Sequence, residues 1–501
     1  LTRLDLGATG FNPRGHLGNL CLRGGNLLLA FLNLSVEIGH RALPCNDKQH
    51  MGMLRLFTSR ITGKSDCPAG VLRGSLTPMN DADILAQVMA RRQDLIGLTQ
   101  DLIRIPTLNP PGRNYRAICD YLAARLMAQG WAVELLRATG SPGDSDAFPR
   151  WNMVARYEGG PGSCVHFNSH HDVVEVGHGW TRDPFGGELD GDRIYGRGAC
   201  DMKGGLAASV IAAEAFLAAR PGFRGAIEIS ATADEETGGY GGVAWLAERG
   251  YFSPAKVQHV IIPEPLHKDR ICLGHRGVWW AEVETHGRIA HGSMPFLGDS
   301  AIRHMGAVLE EIEDRLYPLL ATKRTEMPVV PEGARQSTLN INSIHGGEAE
   351  PAPGSTALPA PCVADRCRIV IDRRFLIEED LAQVKAEVSE VLDRVKSRRP
   401  GFSYDIRTLF EVQPTMASRT APVVQSTAAA IERVLARAAE YVVSPGTYDQ
   451  KHIDRIGRLS NCIAYGPGLL HLAHQPDEWV GVQDMMDSAR VMALVLADLL
   501  Q

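Results

Sequence analysis

From Met79 onward the chain alternates two hydrophobic patterns. Segments such as "MNDADILAQVMARRQDLIGLTQDLIRIPT", "KGGLAASVIAAEAFLAAR" and "GYGGVAWLAERG" have helical length and spacing. Between them lie the short unbroken apolar runs "CVHFNS", "AIEISATA", "HVIIPE" and "NCIAYG". Apolar runs of this length, separated by helices, predict buried strands and an α/β fold with a mostly parallel sheet. Ligands of such folds sit at the carboxyl ends of the strands. Each of the four runs leads into ionisable or glycine-rich residues: His170 to Asp172, Asp234 to Glu236, Glu264, and "GPGLLHLAHQPDE" with His474.

Between about 277 and 411 the order changes. "VWWAEVETHG", "AIRHMGAVLEEIEDRL", "STLNINSIHGG", "CRIVIDRRFL", "EDLAQVKAEVSEVLDRVKS" and "FSYDIRTLFE" read as strand, helix, strand, strand, helix, strand. That is the ferredoxin-like βαββαβ order. It predicts a small domain at 277–411 inserted between two parts of the α/β domain, 79–276 and 412–501, with a Pro/Ala-rich loop at 348–361. Residues 1–78 show no sustained periodicity and are expected to be a poorly structured extension, whose place in the native product stays open. Their apolar stretch "LLLAFLNLSV" is shorter than the roughly 20 residues a spanning helix needs, and no small-x-small cleavage site follows it. Neither a membrane anchor nor secretion is expected.

Composition narrows the partners. A formal net charge of −6 and a pI near 6.3 give no basic footprint for nucleic acid or a membrane surface, which leaves a small-molecule substrate. The ten cysteines contain no CxxC pair, so they suggest neither a disulfide framework nor a thiolate zinc site, and reduced thiols point to the cytoplasm.

Two imidazoles and a carboxylate at a strand end are costly to bury unless a charge sits among them. His170 offers a nitrogen to a divalent ion, and Asp172 can orient its ring. Asp201, between "GRG" and a helix, reads either as a ligand or as a helix cap. Phosphate binding there is disfavoured, because a carboxylate at a helix start repels the anion that site attracts. Asp234, Glu235 and Glu236 crowd three acids that, if buried, need cations or raised pKa values. Singly, each of these residues has an ordinary structural explanation. Together with Glu264 and His474 they share one use.

"HHDVV", "WTRDPFGGELDGDRIYGRGACDMKGG", "DEETGG", "PEP", "GRIAHGSMP" and "YGPGLLHLAHQPDE" together resemble the signature set of the dinuclear zinc amidohydrolases that include acetylornithine deacetylase, succinyl-diaminopimelate desuccinylase and aminoacylase. The resemblance runs from about Met79 to the C-terminus. It implies a zinc-peptidase-like catalytic domain and a ferredoxin-like lid that also forms a homodimer. It further implies two Zn2+ per subunit, with Co2+ or Mn2+ as alternatives. His170 and Glu264 would hold one ion, Glu236 and His474 the other, and Asp201 would bridge them. Three carboxylates and a hydroxide then cancel the four positive charges. Glu235 would be the general base that generates the metal-bound hydroxide, and Asp172 would steady His170.

The same resemblance implies that His291 reaches a neighbouring subunit's site and stabilises the oxyanion. Arg374 would hold the substrate carboxylate, although strand alternation leaves Arg373 as the alternative. Gly446 and Thr447 would line the pocket. Two departures concern substrate rather than metal: the Pro/Ala-rich loop displaces a stretch where relatives commonly carry an Asn, and "GTYDQKHI" stands where "GTSDGRF" is usual. The expected activity is hydrolysis of the amide bond of an N-acyl amino acid or related compound. A dipeptidase or carboxypeptidase on the same site is the alternative, and a non-catalytic binding protein of the same fold the remote one.

Overall fold

A computed structural model describes residues 81–348, 358 and 360–500. The expectation for 1–78, and most of the loop predicted at 348–361, lie outside the described residues. A nine-stranded mixed sheet is built around four parallel strands, in the spatial order Gly225–Thr232, Cys164–His170, His259–Ile262 and Cys462–Ala464. These are the four apolar runs of the sequence. Every residue in them is buried, as strands covered on both faces require. Alternate residues supply the two faces: Phe167, Ile229 and Ile261 join one apolar cluster, while Cys164, Val260 and Ile262 join another.

Antiparallel strands flank this centre. Ala132–Arg137 and Trp151–Gly160 lie on one side, and Arg270–His275 with Thr415–Met416 on the other. The helix Gly204–Ala219 is buried along most of its length and packs against the C-terminal helix Val482–Leu499. Together with the preceding turn it forms a stretch, Ala199–Ala219, long and apolar enough to cross a bilayer by composition, yet 83% of its most apolar 18 residues are buried inside the protein. Core packing accounts for its hydrophobicity.

A second, four-stranded sheet has the order Thr338–Gly346, Arg366–Phe375, Gly277–His286, Ser403–Val412, all antiparallel. Helices Ala301–Glu311 and Leu381–Arg398 cover one face and share a separate core with Trp279, Val283 and Ile369. This is the ferredoxin-like arrangement, with the first and third strands at the centre. Period-two alternation divides two adjacent tryptophans: Trp279 is 2% exposed beneath the helices, and Trp280 is 36% exposed on the opposite face. A register shift between Thr408 and Phe410 leaves Leu409 as a bulge beside Trp280.

Candidate active site

The carboxyl ends of the four parallel strands converge on one constellation. His170 is the last residue of its strand. Its Nδ1 lies 3.0 Å from the Asp172 main-chain carbonyl and 3.5 Å from the Asp172 carboxylate, and its Nε2 lies 3.0 Å from Asp201 Oδ1. The ring is thus held chiefly by the backbone of Asp172. The Asp172 carboxylate is fully buried and accepts the Glu235 N–H at 3.1 Å, the Glu236 N–H at 3.2 Å and the Asn109 amide at 2.8 Å. One carboxylate therefore ties the end of one strand to the loop after its neighbour.

Asp201 has extended backbone angles, φ −117° and ψ 96°, and leaves the helix start at Gly204 without a side-chain cap. The helix-cap reading of Asp201 is not the one the fold uses. Behind it, buried Glu478 accepts the N–H groups of Cys200 at 2.9 Å and Asp201 at 3.0 Å, and pairs with buried Arg197 at 2.5 Å. Gly205 lets the helix press onto the segment carrying Glu264, since a Cβ there would stand 1.9 Å from the Pro263 carbonyl. His474 brings Nε2 to 3.0 Å from Glu236 Oε1 and 3.5 Å from Asp201 Oδ2. His170, Asp201 and Glu236 each place a ligand atom within 4.8 Å of the other two.

The charges are mutually dependent. Burial pushes His170 down, but its hydrogen bonds to Asp172 and Asp201 outweigh this and hold it well above its usual value. Hydrogen bonds to Asp201 and Glu236 raise His474 to about 10. Burial, then the nearby Asp201 charge, raises Glu236 to about 7 and Glu264 well above the carboxylate range. Burial also raises Asp201, yet His170 and His474 outweigh it and hold that carboxylate low. These acids borrow positive charge from imidazoles or keep their protons. A divalent cation relieves that deficit, and three carboxylates with two imidazoles are a donor set that zinc-like ions prefer.

Of the three consecutive acids, Asp234 turns away: it accepts hydrogen bonds from Tyr115 at 2.9 Å and Arg150 at 2.8 Å. Glu235 faces inward and receives Lys451 Nζ at 3.1 Å. That lysine is 2% exposed, and the charges of Glu235 and Asp449 overcome its burial to raise its pKa.

A cavity of about 760 Å³ opens beside these groups. Glu235, Glu236, Lys451 and His474 line it, with Gly446, Thr447 and Arg374, and with Tyr240, Trp280, Leu409 and Phe410. Arg374 reaches the cavity with Nε and Nη2 bonded to Asp372 at 2.7 and 3.0 Å. Arg373 is buried against Glu379 and Glu387 instead. His291 is exposed on the smaller sheet unit, its Nδ1 accepting from the Ser293 N–H and hydroxyl at 3.1 and 2.7 Å, and does not line this cavity.

The model of peptidase family M20/M25/M40 matches residues 166–498. The chain belongs to this family. It is an enzyme, a metal-dependent amidohydrolase of the deacylase or peptidase kind. A succinyl-diaminopimelate desuccinylase of Methylobacterium sp. (strain 4-46) is 31% identical over 424 residues, covering 80% of this chain and 95% of its own length. Human carnosine dipeptidase 1 shares the fold at a TM-score of 0.66 and 18% identity, over 84% of this chain and 98% of its own. Bacillus subtilis YxeP, a dinuclear metal-binding peptidase of the M20 family, superposes at 0.58 with 14% identity, over 82% and 99%.

Sequence reasoning passed over Asn109, Arg197, Glu478 and Lys451. Glu478 lies inside the quoted "HQPDE" and Lys451 inside the divergent "GTYDQKHI", so their motifs were in view and their partners were not. Asn109 and Arg197 act across 63 and 281 residues of chain, to Asp172 and Glu478, which no local spacing reveals.

Proposed function

We propose that this M20 enzyme hydrolyses the amide bond of an N-acyl amino acid or related compound. The observation that carries this reading is Glu235, anchored by Lys451, beside a cluster of imidazoles and carboxylates at the mouth of a cavity that contains a guanidinium. His170, Asp201, Glu236, Glu264 and His474 would hold two divalent ions, zinc by preference. When bound, these ions polarise the amide carbonyl and lower the pKa of water. Glu235 takes a proton from the attacking water and delivers it to the departing amine. Asp172 keeps His170 and the Glu235–Glu236 backbone in register, so base and ligands move as one unit. Arg374 binds the substrate carboxylate, and Gly446 and Thr447 flank the reacting amide.

The unit at 277–411 serves as lid and as dimer contact, and His291 reaches the partner's site to stabilise the oxyanion. Ile289, Met294, Phe296 and Leu297, near His291 in sequence, are exposed apolar side chains suited to such an interface. The free cysteines support a cytoplasmic setting.

The test is elemental analysis of the purified protein, followed by turnover of N-acyl amino acids and dipeptides with added Zn2+, Co2+ or Mn2+. Amide hydrolysis that stops on chelation and returns with metal is expected. Faster turnover of dipeptides than of every N-acyl amino acid would transfer the assignment to a dipeptidase. Metal-loaded protein that cleaves neither class would overturn it.

A further inference from the structure

Two walls of the cavity differ sharply in chemistry. One carries Glu235, Glu236, Lys451 and His474. The other is aromatic, and the smaller sheet builds most of it. Asp372, Trp280 and Phe410 are direct cross-strand neighbours, and such neighbours share a face. The Leu409 bulge lies at this row, and Leu409 joins Phe410 in the cavity lining. Phe410 stands edge-on to Trp280 at 5.8 Å and to Tyr240 at 6.3 Å between ring centroids, so three rings from three segments form one surface. Tyr240 and Leu409 are 42% and 41% exposed, a poor use of large apolar groups unless something covers them.

Cations are scarce beside that surface. Lys451 is committed to Glu235, and Arg374 gives two nitrogens to Asp372. No other lysine or arginine lines the cavity among the described residues. Arg374 retains donors for a single substrate carboxylate. A substrate with several carboxylates, of the kind named for the desuccinylase relatives, would find no second lysine or arginine in this lining to receive its further carboxylates.

We propose that the substrate carries one carboxylate and one bulky apolar or aromatic group, the first held by Arg374 and the second laid on the Tyr240–Trp280–Phe410 surface. This rests on the amidohydrolase reading above and names the substrate class of that site. Contact with two or three rings removes enough apolar surface from water to dominate selection among substrates that share the same scissile amide.

The experiment compares kcat/KM of the metal-loaded enzyme on N-acetyl-L-phenylalanine, N-benzoylglycine, N-acetylglycine and N-succinyl-L-glutamate. At least one aromatic compound should exceed both others tenfold or more, and which one does so tells whether the acyl or the amino acid side lies on the rings. Trp280→Ala and Phe410→Ala should each lower the aromatic-to-acetylglycine ratio about tenfold, and Trp280→Phe should restore most of it. The ratio is insensitive to partial loss of folded enzyme. Hydrolysis with N-succinyl-L-glutamate equal to or ahead of both aromatic compounds overturns the inference and leaves the amidohydrolase reading intact. If none of the four is cleaved, calorimetric binding of the same compounds decides the inference separately from that reading: tighter binding of the diacid overturns it.

Discussion

Replacing Lys451 with methionine removes one charge from the site and little volume. In the folded protein the ammonium is 2% exposed and stands 3.1 Å from Glu235 Oε1. At that separation, with an effective dielectric constant of about 20, the Coulomb attraction is about 5 kcal/mol. Breaking a buried pair from one side costs roughly 3–5 kcal/mol, because the surviving charge stays buried without compensation. Glu235 would be that survivor, beside Asp449, which burial and the Glu235 charge already raise to about 7. At about 2–4 °C per kcal/mol for a domain of this size, the thermal midpoint should fall on the order of 10 °C. Circular dichroism melts of metal-loaded and chelated protein measure it, and the chelated sample should lose more, since bound ions supply part of the missing charge. Lys451→Arg, which keeps the charge, should recover most of the midpoint and of kcat. A methionine variant as stable as the parent, with unchanged kcat, refutes the claim that this pair anchors the base.

Glu235→Gln should keep its metal by elemental analysis and lose turnover by roughly 10²- to 10⁴-fold, the range of general acid–base catalysis. Arg197→Met should release metal more readily in a chelator competition, because unpaired Glu478 can no longer hold the Asp201 backbone; unchanged release kinetics would count against this support. In metal-free protein Glu236 is raised from 4.5 to about 7, mainly by burial. Its bound proton stabilises the fold fully below pH 4.5, and this is lost as pH rises to about 7. Metal must displace that proton and those on His170 and His474, so affinity should climb with pH through about 7 and on toward about 10, with calorimetry showing more proton release at pH 6 than at pH 8. His291→Ala should bind metal normally, lose about 10²- to 10³-fold in kcat, and regain activity when its subunits exchange with Glu235→Gln subunits. Proven exchange without recovery would place His291 within its own chain or outside catalysis.

The parallel centre of the sheet was legible because a strand buried on both faces must be apolar throughout. "CVHFNS" and "HVIIPE" have no other comfortable home. The antiparallel flanks were less so: Trp151–Gly160 mixes buried and half-exposed positions and alternates weakly. For the candidate site, strand-end placement drew attention to His170, Glu236, Glu264 and His474, since ionisable residues after apolar runs stand out, while Asp201 entered through its Gly-rich motif and the family resemblance. Orientation was beyond reach. Asp234 and Glu235 are neighbours, yet a left-handed backbone at Asp234, φ 62°, accompanies the turn of one toward Arg150 while the other faces the cavity. Arg373 and Arg374 differ in the same way, and their partners on the next helix and on the same strand decide which is buried.

The division of labour between Trp279 and Trp280 bears on how such an enzyme diverges. Trp279 is packed within the core of its own sheet unit, where truncation costs about 3–5 kcal/mol. Trp280, Leu409 and Phe410 lie on the cavity side of the same sheet, outside that core, where removing one ring loses an aromatic contact of about 0.5–1.5 kcal/mol beyond its buried area. The candidate ligands and Glu235 follow strands of the other sheet, which has a different core. Single replacements in this wall can thus alter its shape without touching the core beneath it or the segments that carry the proposed base and metal ligands. On the proposal made above, substrate preference would change with this wall while the proposed base and metal ligands keep their own supports.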